Sequence, residues 1–422
     1  LIQSHQPVGN FDVVLEKIYQ CSYLPCLDRV ERHPAVRLGL HYTGPLLEWL
    51  EEKHPEFMER LAVLAERKQI EMVGGGFYEP ILISIPGRDQ AEQIARMRAY
   101  LKKRFGKTPG GAWLAERVWE PHVPAILKPA KVDYTLLDDV HFLCAGLDPE
   151  QLFGYYVAED HGASVKVIPG LKPLRYMMPF RTVEETLAYL RAAAERHPGG
   201  MAATGDDCEK LGAWPGTFEH CYRDGWLDRF FSALEANQDW LATTPPGEYL
   251  ASHDPLGRAD LPAASYTELM EWVLPTPARK ELHAIGQEFA GREDLLRFLR
   301  GGIWRGFLTK YPEVNLLQKK SLHVSRRLRA VKTRGALPAA RKKIDAAHTH
   351  LLRAQCNDAY WHGVFGGLYS PHLRTALWRE LVRAETIVEA LAPGRSAAIR
   401  AQRLDFDADG LDEIYVTSPA FA

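Results

Sequence analysis

The 422 residues include 52 Lys and Arg against 54 Asp and Glu, a formal net charge of −2, with 46% hydrophobic and 10% aromatic residues. Such a chain is too long for a disulfide-stapled miniprotein and too apolar for a disordered one, and its balanced charge gives no general attraction to nucleic acid or an anionic membrane. Six cysteines without a CxxC pair or Cys/His zinc spacing predict reduced thiols and a cytoplasmic setting, and no apolar run reaches the roughly 18 residues of a membrane span.

Leu1-Ile2, running into Ser4-His5-Gln6-Pro7, reads as the tail of a buried strand, so a few native residues are expected to precede it. Arg37 to Tyr42 reads as a strand, followed by helices through Leu46 to Leu50 and Phe57 to Ala65. Strand character returns at Ile70 to Val73, before Gly74-Gly75-Gly76. A helix over 88–105 precedes strands at Gly110 to Ala115 and Val132 to Leu137. Further on, the pattern predicts a strand at Ser164 to Ile168, a helix over 183–196, a strand ending at Gly205 and a helix over 225–237. Strands and helices alternating at this spacing imply βα units around a parallel sheet.

From about residue 295 the texture becomes helical, with periods over 295–308, 315–332, 338–356 and 373–392. Arg326, Arg327, Arg329, Lys332 and Arg334 read as a solvated face. After Pro393-Gly394 the composition shifts again, and Ile414-Tyr415-Val416 looks like a single strand with nothing nearby to pair with, the start of a β domain that is cut off. Asp405, Asp407, Asp409 and Gly410 follow a calcium-loop spacing, but loop position 12 is Val416 rather than a bidentate Glu, so solvated acids are the expectation.

Parallel sheets gather ligands at the loops that follow their strands. There the sequence offers His5, Glu71, Glu116, Asp138, Asp139, Asp206 and Asp207. Glu116 lies between Trp113 and Trp119 with Arg117 beside it, an arrangement that keeps a nucleophile ionised if the guanidinium faces the carboxylate. Glu120 reads as a capping or pairing residue. Asp206, Asp207 and Glu209 crowd three carboxylates into four residues, which is costly unless a cation, a metal or a shared proton offsets it. One proton held among them supplies a general acid, and Trp214 downstream offers a flat ring. Two carboxyl groups with aromatic platforms suit glycoside chemistry: sugar rings stack on aromatics, and an oxocarbenium-like transition state needs a carboxylate on one side and an acid at the leaving oxygen.

Five segments resemble, in order, the five signature regions of glycoside hydrolase family 57: His5-Gln6-Pro7, Glu71 to Pro80, Trp113 to Pro121, Asp206 to Pro215 and Ser265 to Pro275. Asn357 to Gly363 is similar to a substrate-site segment of the 4-α-glucanotransferase and α-amylase branch. The resemblance implies a retaining enzyme on α-1,4-glucans or maltooligosaccharides without a cofactor. Its fold would be a (β/α)7 barrel over 1–294, a helical subdomain over 295–395 and a truncated C-terminal β-sandwich opening over 396–422. It further implies Glu116 as nucleophile, Asp207 as acid/base, and His5, Glu71, Trp113, Glu209, Trp214, Asp358 and Trp361 lining the sugar subsites. Cys208 stands where the family commonly has glycine, which puts the local turn in question.

A 4-α-glucanotransferase is the leading reading and an α-amylase the alternative, since both share the first chemical step. A metal-dependent deacetylase or mannosidase-like hydrolase would instead draw His5, Asp138, Asp139 and His141 to one ion. A non-catalytic carbohydrate-binding module needs no crowded carboxylates.

Overall fold

The computed structural model describes residues 1–331, 337–363, 366–391 and 399–417. The chain alternates strands and helices through its first half: β1 Ile2–Ser4, β2 Leu38–Tyr42, β3 Ile70–Met72, β4 Gly74–Gly75, β5 Gly111–Trp113, β6 Tyr134–Asp138, β7 Tyr156–Asp160, β8 Ala163–Gly170, β9 Asp206–Asp207 and β10 Gly257–Arg258. One sheet has the order β3-β2-β1-β9 and a second β10-β7-β8-β6-β5-β4. Each pairing is parallel except the β7–β8 hairpin. Val73 alone separates β3 from β4, and Gly170 at the end of β8 bridges in parallel to Ala203, just before β9. β6 and β8 are mostly buried, as strands covered on both faces are.

The helices between these strands follow local signals. Gly87–Phe105 ends at Gly106 in the left-handed conformation, φ 74°. Val183–Arg196 begins with a capping box in which Thr182 Oγ1 accepts from the Glu185 amide at 3.2 Å while the Thr182 amide donates to Glu185 at 2.9 Å. Two expectations change. The period over 295–308 is split into Glu293–Leu296 and Gly306–Lys310, because the Gly302 amide bonds to Met270 O and the Gly301 backbone approaches the same carbonyl so closely that a Cβ would sit 2.2 Å from it. The strand ending at Gly205 is reduced to the Ala203 bridge and the two residues of β9.

The later helices Pro312–Ala330, Pro338–Arg353 and Pro371–Leu391 pack on one another. Arg327 and Arg329 are not merely solvated: they pair with Glu385 and Glu389 and with Asp89, respectively. Arg326 is exposed, while Lys332, Arg334 and Pro393-Gly394 lie outside the described residues.

Ile414 to Val416 does have a partner. β12 Glu413–Thr417 pairs antiparallel with β11 Arg400–Leu404. The hairpin is docked on the helices, for the Tyr415 hydroxyl donates to Glu385 at 2.8 Å and accepts from Lys320 at 2.5 Å. In its loop, backbone amides of Asp409 and Gly410 donate to Asp405 and that of Phe406 to Glu413, so these acids are held by their own turn.

Candidate active site

Past β5 the chain turns through two consecutive left-handed residues, Glu116 at φ 54° and Arg117 at φ 48°. Such conformations cost a non-glycine residue on the order of 1–3 kcal/mol each and persist only where the surroundings impose them. Here a distant segment does so: Ser265 Oγ donates to the Glu116 carbonyl at 2.5 Å, and the Tyr266 hydroxyl donates to Glu116 Oε2 at 2.7 Å. Arg117 does not clamp Glu116. Its Nε donates to Asp138 Oδ2 at 2.5 Å while its guanidinium lies 4.7 Å from the Tyr266 ring centroid and 5.2 Å from that of Trp113.

Burial pushes the Glu116 carboxyl up to about 7. The Arg117 charge and the Tyr266 hydrogen bond pull it down, and the charges of Asp207 and Glu79 push it further up. Glu116, Asp207 and Glu79 therefore lie within electrostatic reach of one another. Asp138 is the counterpart case: burial opposes its ionisation, but Arg117 and Arg175 outweigh burial and hold its carboxyl below the usual range.

The β1–β9 register sets Gln3 opposite Asp207, and Gln3 Nε2 donates to Asp207 Oδ1 at 2.8 Å. The crowded acids each find a separate partner. Asp206 accepts from Lys210 at 2.5 Å; burial nevertheless raises it to about 6. Glu209 accepts from the His5 amide at 2.9 Å and from the Tyr23 hydroxyl, and burial followed by the Asp207 charge raises it to about 7. Cys208 turns into the core, where Ser22 Oγ donates to its carbonyl at 2.6 Å, so the thiol displaces neither neighbouring acid.

His5 sits between two carboxylates, Glu79 at Nδ1 and Asp358 at 2.8 Å from Nε2. Burial lowers its pKa, but Asp358 and Glu79 more than offset that and raise it well above the ordinary value, favouring the imidazolium. The segment Asn357–Tyr360 arrives from the helical region to complete this arrangement. Asn357 donates through its amide and its Nδ2 to the Glu79 carbonyl, and Trp361 Nε1 donates to Asn357 Oδ1 at 2.8 Å. The Trp361 ring stacks on Trp272, centroids 6.4 Å apart.

The expected platforms fare differently. Trp214 is half-buried with its ring 6.2 Å from that of Phe180. Trp113 is 2% exposed, stacked against His41, and so presents no open face. Its Nε1 and the Oε1 of Gln3 are buried without a protein partner among the described residues. Buried polar atoms left so cost about 1–3 kcal/mol unless water or a ligand meets them, and a hydroxyl-rich ligand supplies such partners.

Glu71 is not brought here. Its two oxygens accept from the Tyr134 hydroxyl and the Gly247 amide, each at 2.7 Å. Tyr134 opens β6 whereas Asp138 closes it, which sets these two levels about 13 Å apart. The His5, Asp138, Asp139, His141 metal grouping is not formed either. Asp138 is taken by Arg117, Asp139 accepts from the Lys172 amide, and both His141 nitrogens face the backbone carbonyls of Asp138 and Arg117. Glu120 pairs with Arg305 through both oxygens, as its reading as a pairing residue requires. Gln3, Glu79 and Tyr266 were not singled out from the sequence. Glu79 and Tyr266 lie inside the second and fifth signature segments, and the acid and phenol among their apolar neighbours were the available signal.

The sequence model of Glycosyl hydrolase family 57 matches residues 7–262, and that of the alpha-amylase/4-alpha-glucanotransferase middle domain matches 302–388. Alpha-amylase 1 of Dictyoglomus thermophilum is 44% identical over 425 residues, and the 4-alpha-glucanotransferase of Thermococcus litoralis 41% over 423; each match takes in 100% of this chain and 60% of the relative. The chain thus spans about 60% of the length of these curated relatives. The crystal structure of the Thermococcus litoralis 4-alpha-glucanotransferase superposes with a TM-score of 0.90, covering 99% of this chain and 62% of that one. With a family match across more than half of its length and relatives this similar throughout, the chain belongs to glycosyl hydrolase family 57.

Proposed function

We propose that this chain carries the catalytic centre of a retaining 4-α-glucanotransferase acting on α-1,4-glucans and maltooligosaccharides. The observation that carries the reading is the disposition of Glu116, strained, held by Tyr266 and within the field of Asp207, beside Gln3 and Trp113, whose buried polar atoms have no protein partner among the described residues. In the first step a Glu116 oxygen attacks the anomeric carbon as the glycosidic bond breaks, and Asp207 gives its proton to the leaving oxygen. In the second, Asp207 takes the proton of an incoming sugar hydroxyl, whose oxygen displaces Glu116 and restores the original anomeric configuration. Gln3 holds the Asp207 carboxyl in place for both transfers. His5, Glu209, Asp358, Trp214 and Trp361 line the sugar subsites, with Trp113 contributing its indole N–H.

The fold that goes with this reading is a (β/α)7 barrel in which β1, β2, β3 with β4, β5, β6, β8 and β9 form the ring; their successive parallel pairings and the Gly170–Ala203 bridge support it. The proposed division is a barrel over 1–294, a helical subdomain over 295–395 and the opening of a C-terminal β domain from 396. Six free thiols support a reducing, cytoplasmic setting, and among the described residues no helix is long and apolar enough to cross a membrane.

An α-amylase is the second reading, supported by the name of the 44% identical relative. Water instead of a sugar hydroxyl then resolves the glycosyl-enzyme, and about 1.4 kcal/mol between the two barriers changes the product ratio tenfold. Incubation with maltopentaose separates them: longer and shorter products mean transfer, only shorter ones hydrolysis, and no change in the sugar refutes both.

A further inference from the structure

Away from the reacting carboxylates, the helical region holds a groove of about 370 Å³ lined by Tyr311, Glu313, Leu368, Tyr369 and Arg374. That volume falls in the range of small-ligand sites. Tyr369 is 52% exposed, and its ring is fixed from two sides: His362 lies 5.5 Å away at 79° and Tyr311 6.1 Å away at 85°. The Tyr311 and Tyr369 hydroxyls share a hydrogen bond of 2.7 Å. A ring immobilised in this way loses little side-chain freedom when a ligand stacks on it.

The polar groups of the groove carry no net charge. Arg374 Nε donates to Glu313 Oε1 at 3.0 Å, and another of its nitrogens meets the Leu368 carbonyl. Donors and acceptors are both present while the ion pair cancels, which suits a neutral, hydroxyl-rich ligand rather than an anion.

An unbroken run of aromatic rings joins this groove to the site. Tyr266, whose hydroxyl bonds to Glu116, lies 6.1 Å from Trp272; Trp272 lies 5.1 Å from His362, and His362 leads on to Tyr369. Exposure increases along it, from Tyr266 at 7% to Tyr369 at 52%. A pyranose ring places its C–H face on an aromatic ring and its hydroxyls at the rim, and of these rings Tyr369 is the one most open to receive it.

We propose that the groove is an outer binding site for the same α-1,4-glucan, engaging sugar units of a long chain that extend beyond the reacting centre along Trp272 and His362. It rests on the functional reading above for the identity of the sugar. Its effect is selective: long chains gain affinity from it, and short ones that end before Tyr369 do not.

The test is calorimetric binding of maltoheptaose and maltotriose to the full-length protein carrying Glu116→Gln, with and without Tyr369→Ala. Maltoheptaose affinity is expected to fall about 3- to 10-fold on Tyr369→Ala, with maltotriose unchanged. Tyr369→Phe, which keeps the ring, should retain most of the maltoheptaose affinity. Equal affinities with and without Tyr369→Ala, an equal loss for both sugars, or no maltoheptaose binding at all overturns the proposal. Wild-type protein that leaves maltopentaose unaltered, but binds maltoheptaose in a Tyr369-dependent manner, overturns the catalytic reading and leaves the groove standing.

Discussion

The two ends of the strand array contrast in how they hold a glutamate. At one end Glu71 is saturated, its two carboxylate oxygens taken by Tyr134 and Gly247. At the other, Glu116 sits in a strained backbone, and the neighbouring Gln3 and Trp113 each retain a buried polar atom without a protein partner among the described residues. A glutamate in or just after a strand can thus be mortar or chemistry, and the difference lies in the backbone strain and the neighbouring acid charges that act on it. Carboxyl groups near Glu116 also sit well above their ordinary values, with Glu209 at about 7 and Asp206 at about 6. Perturbed acids gathered in one cleft are what proton transfer at neutral pH requires.

The contrast breaks most decisively at Glu116. Glu116→Gln should reduce kcat on maltopentaose by about 10⁴-fold or more while calorimetry still detects oligosaccharide binding. Retained turnover would remove Glu116 from its role.

Next in size is the dependence on pH. A nucleophile must be ionised, and the Glu116 carboxyl is raised to about 7, so kcat/KM should fall about tenfold per pH unit on the acid side of that value. Tyr266→Phe deletes a hydrogen bond that favours the ionised form, which moves the limb to higher pH, with a loss of roughly 10- to 100-fold in kcat near neutrality. A limb that stays in place would show that the phenol is only packing.

The smallest expected effect is at the opposite end. Glu71→Gln sets an amide N–H against a donor and should lower stability by about 1–3 kcal/mol, read from chemical denaturation, with kcat/KM changed less than about twofold. An activity loss approaching that of Tyr266→Phe would erase the distinction between the two ends.

How much of this was readable in the sequence follows from the range of each signal. Alternating βα periods are local, and the helix Val183–Arg196 appears where periodicity put it. The Glu116 and Asp207 segments were legible because they announce themselves in few residues. Glu71 was misplaced for a geometric reason: a residue type near a strand says nothing about which end of the sheet it faces until register is known. Arg117 looked like the partner of Glu116 by adjacency, but the left-handed turn directs its guanidinium to Asp138. Tyr266 reaches Glu116 from 150 positions away. The partner of the final strand, Arg400 to Leu404, is mostly exposed and polar, so it lacks the alternation that would have revealed it.

The carboxylate facing His5 Nε2 comes from Asp358, 353 positions later. The first strand and the segment that follows the helix Pro338–Arg353 are thus neighbours at the candidate site. A polypeptide ended before Asp358 would keep Glu79 at His5 Nδ1 but lack the carboxylate at Nε2, so the imidazolium would lose one of its two counter-charges.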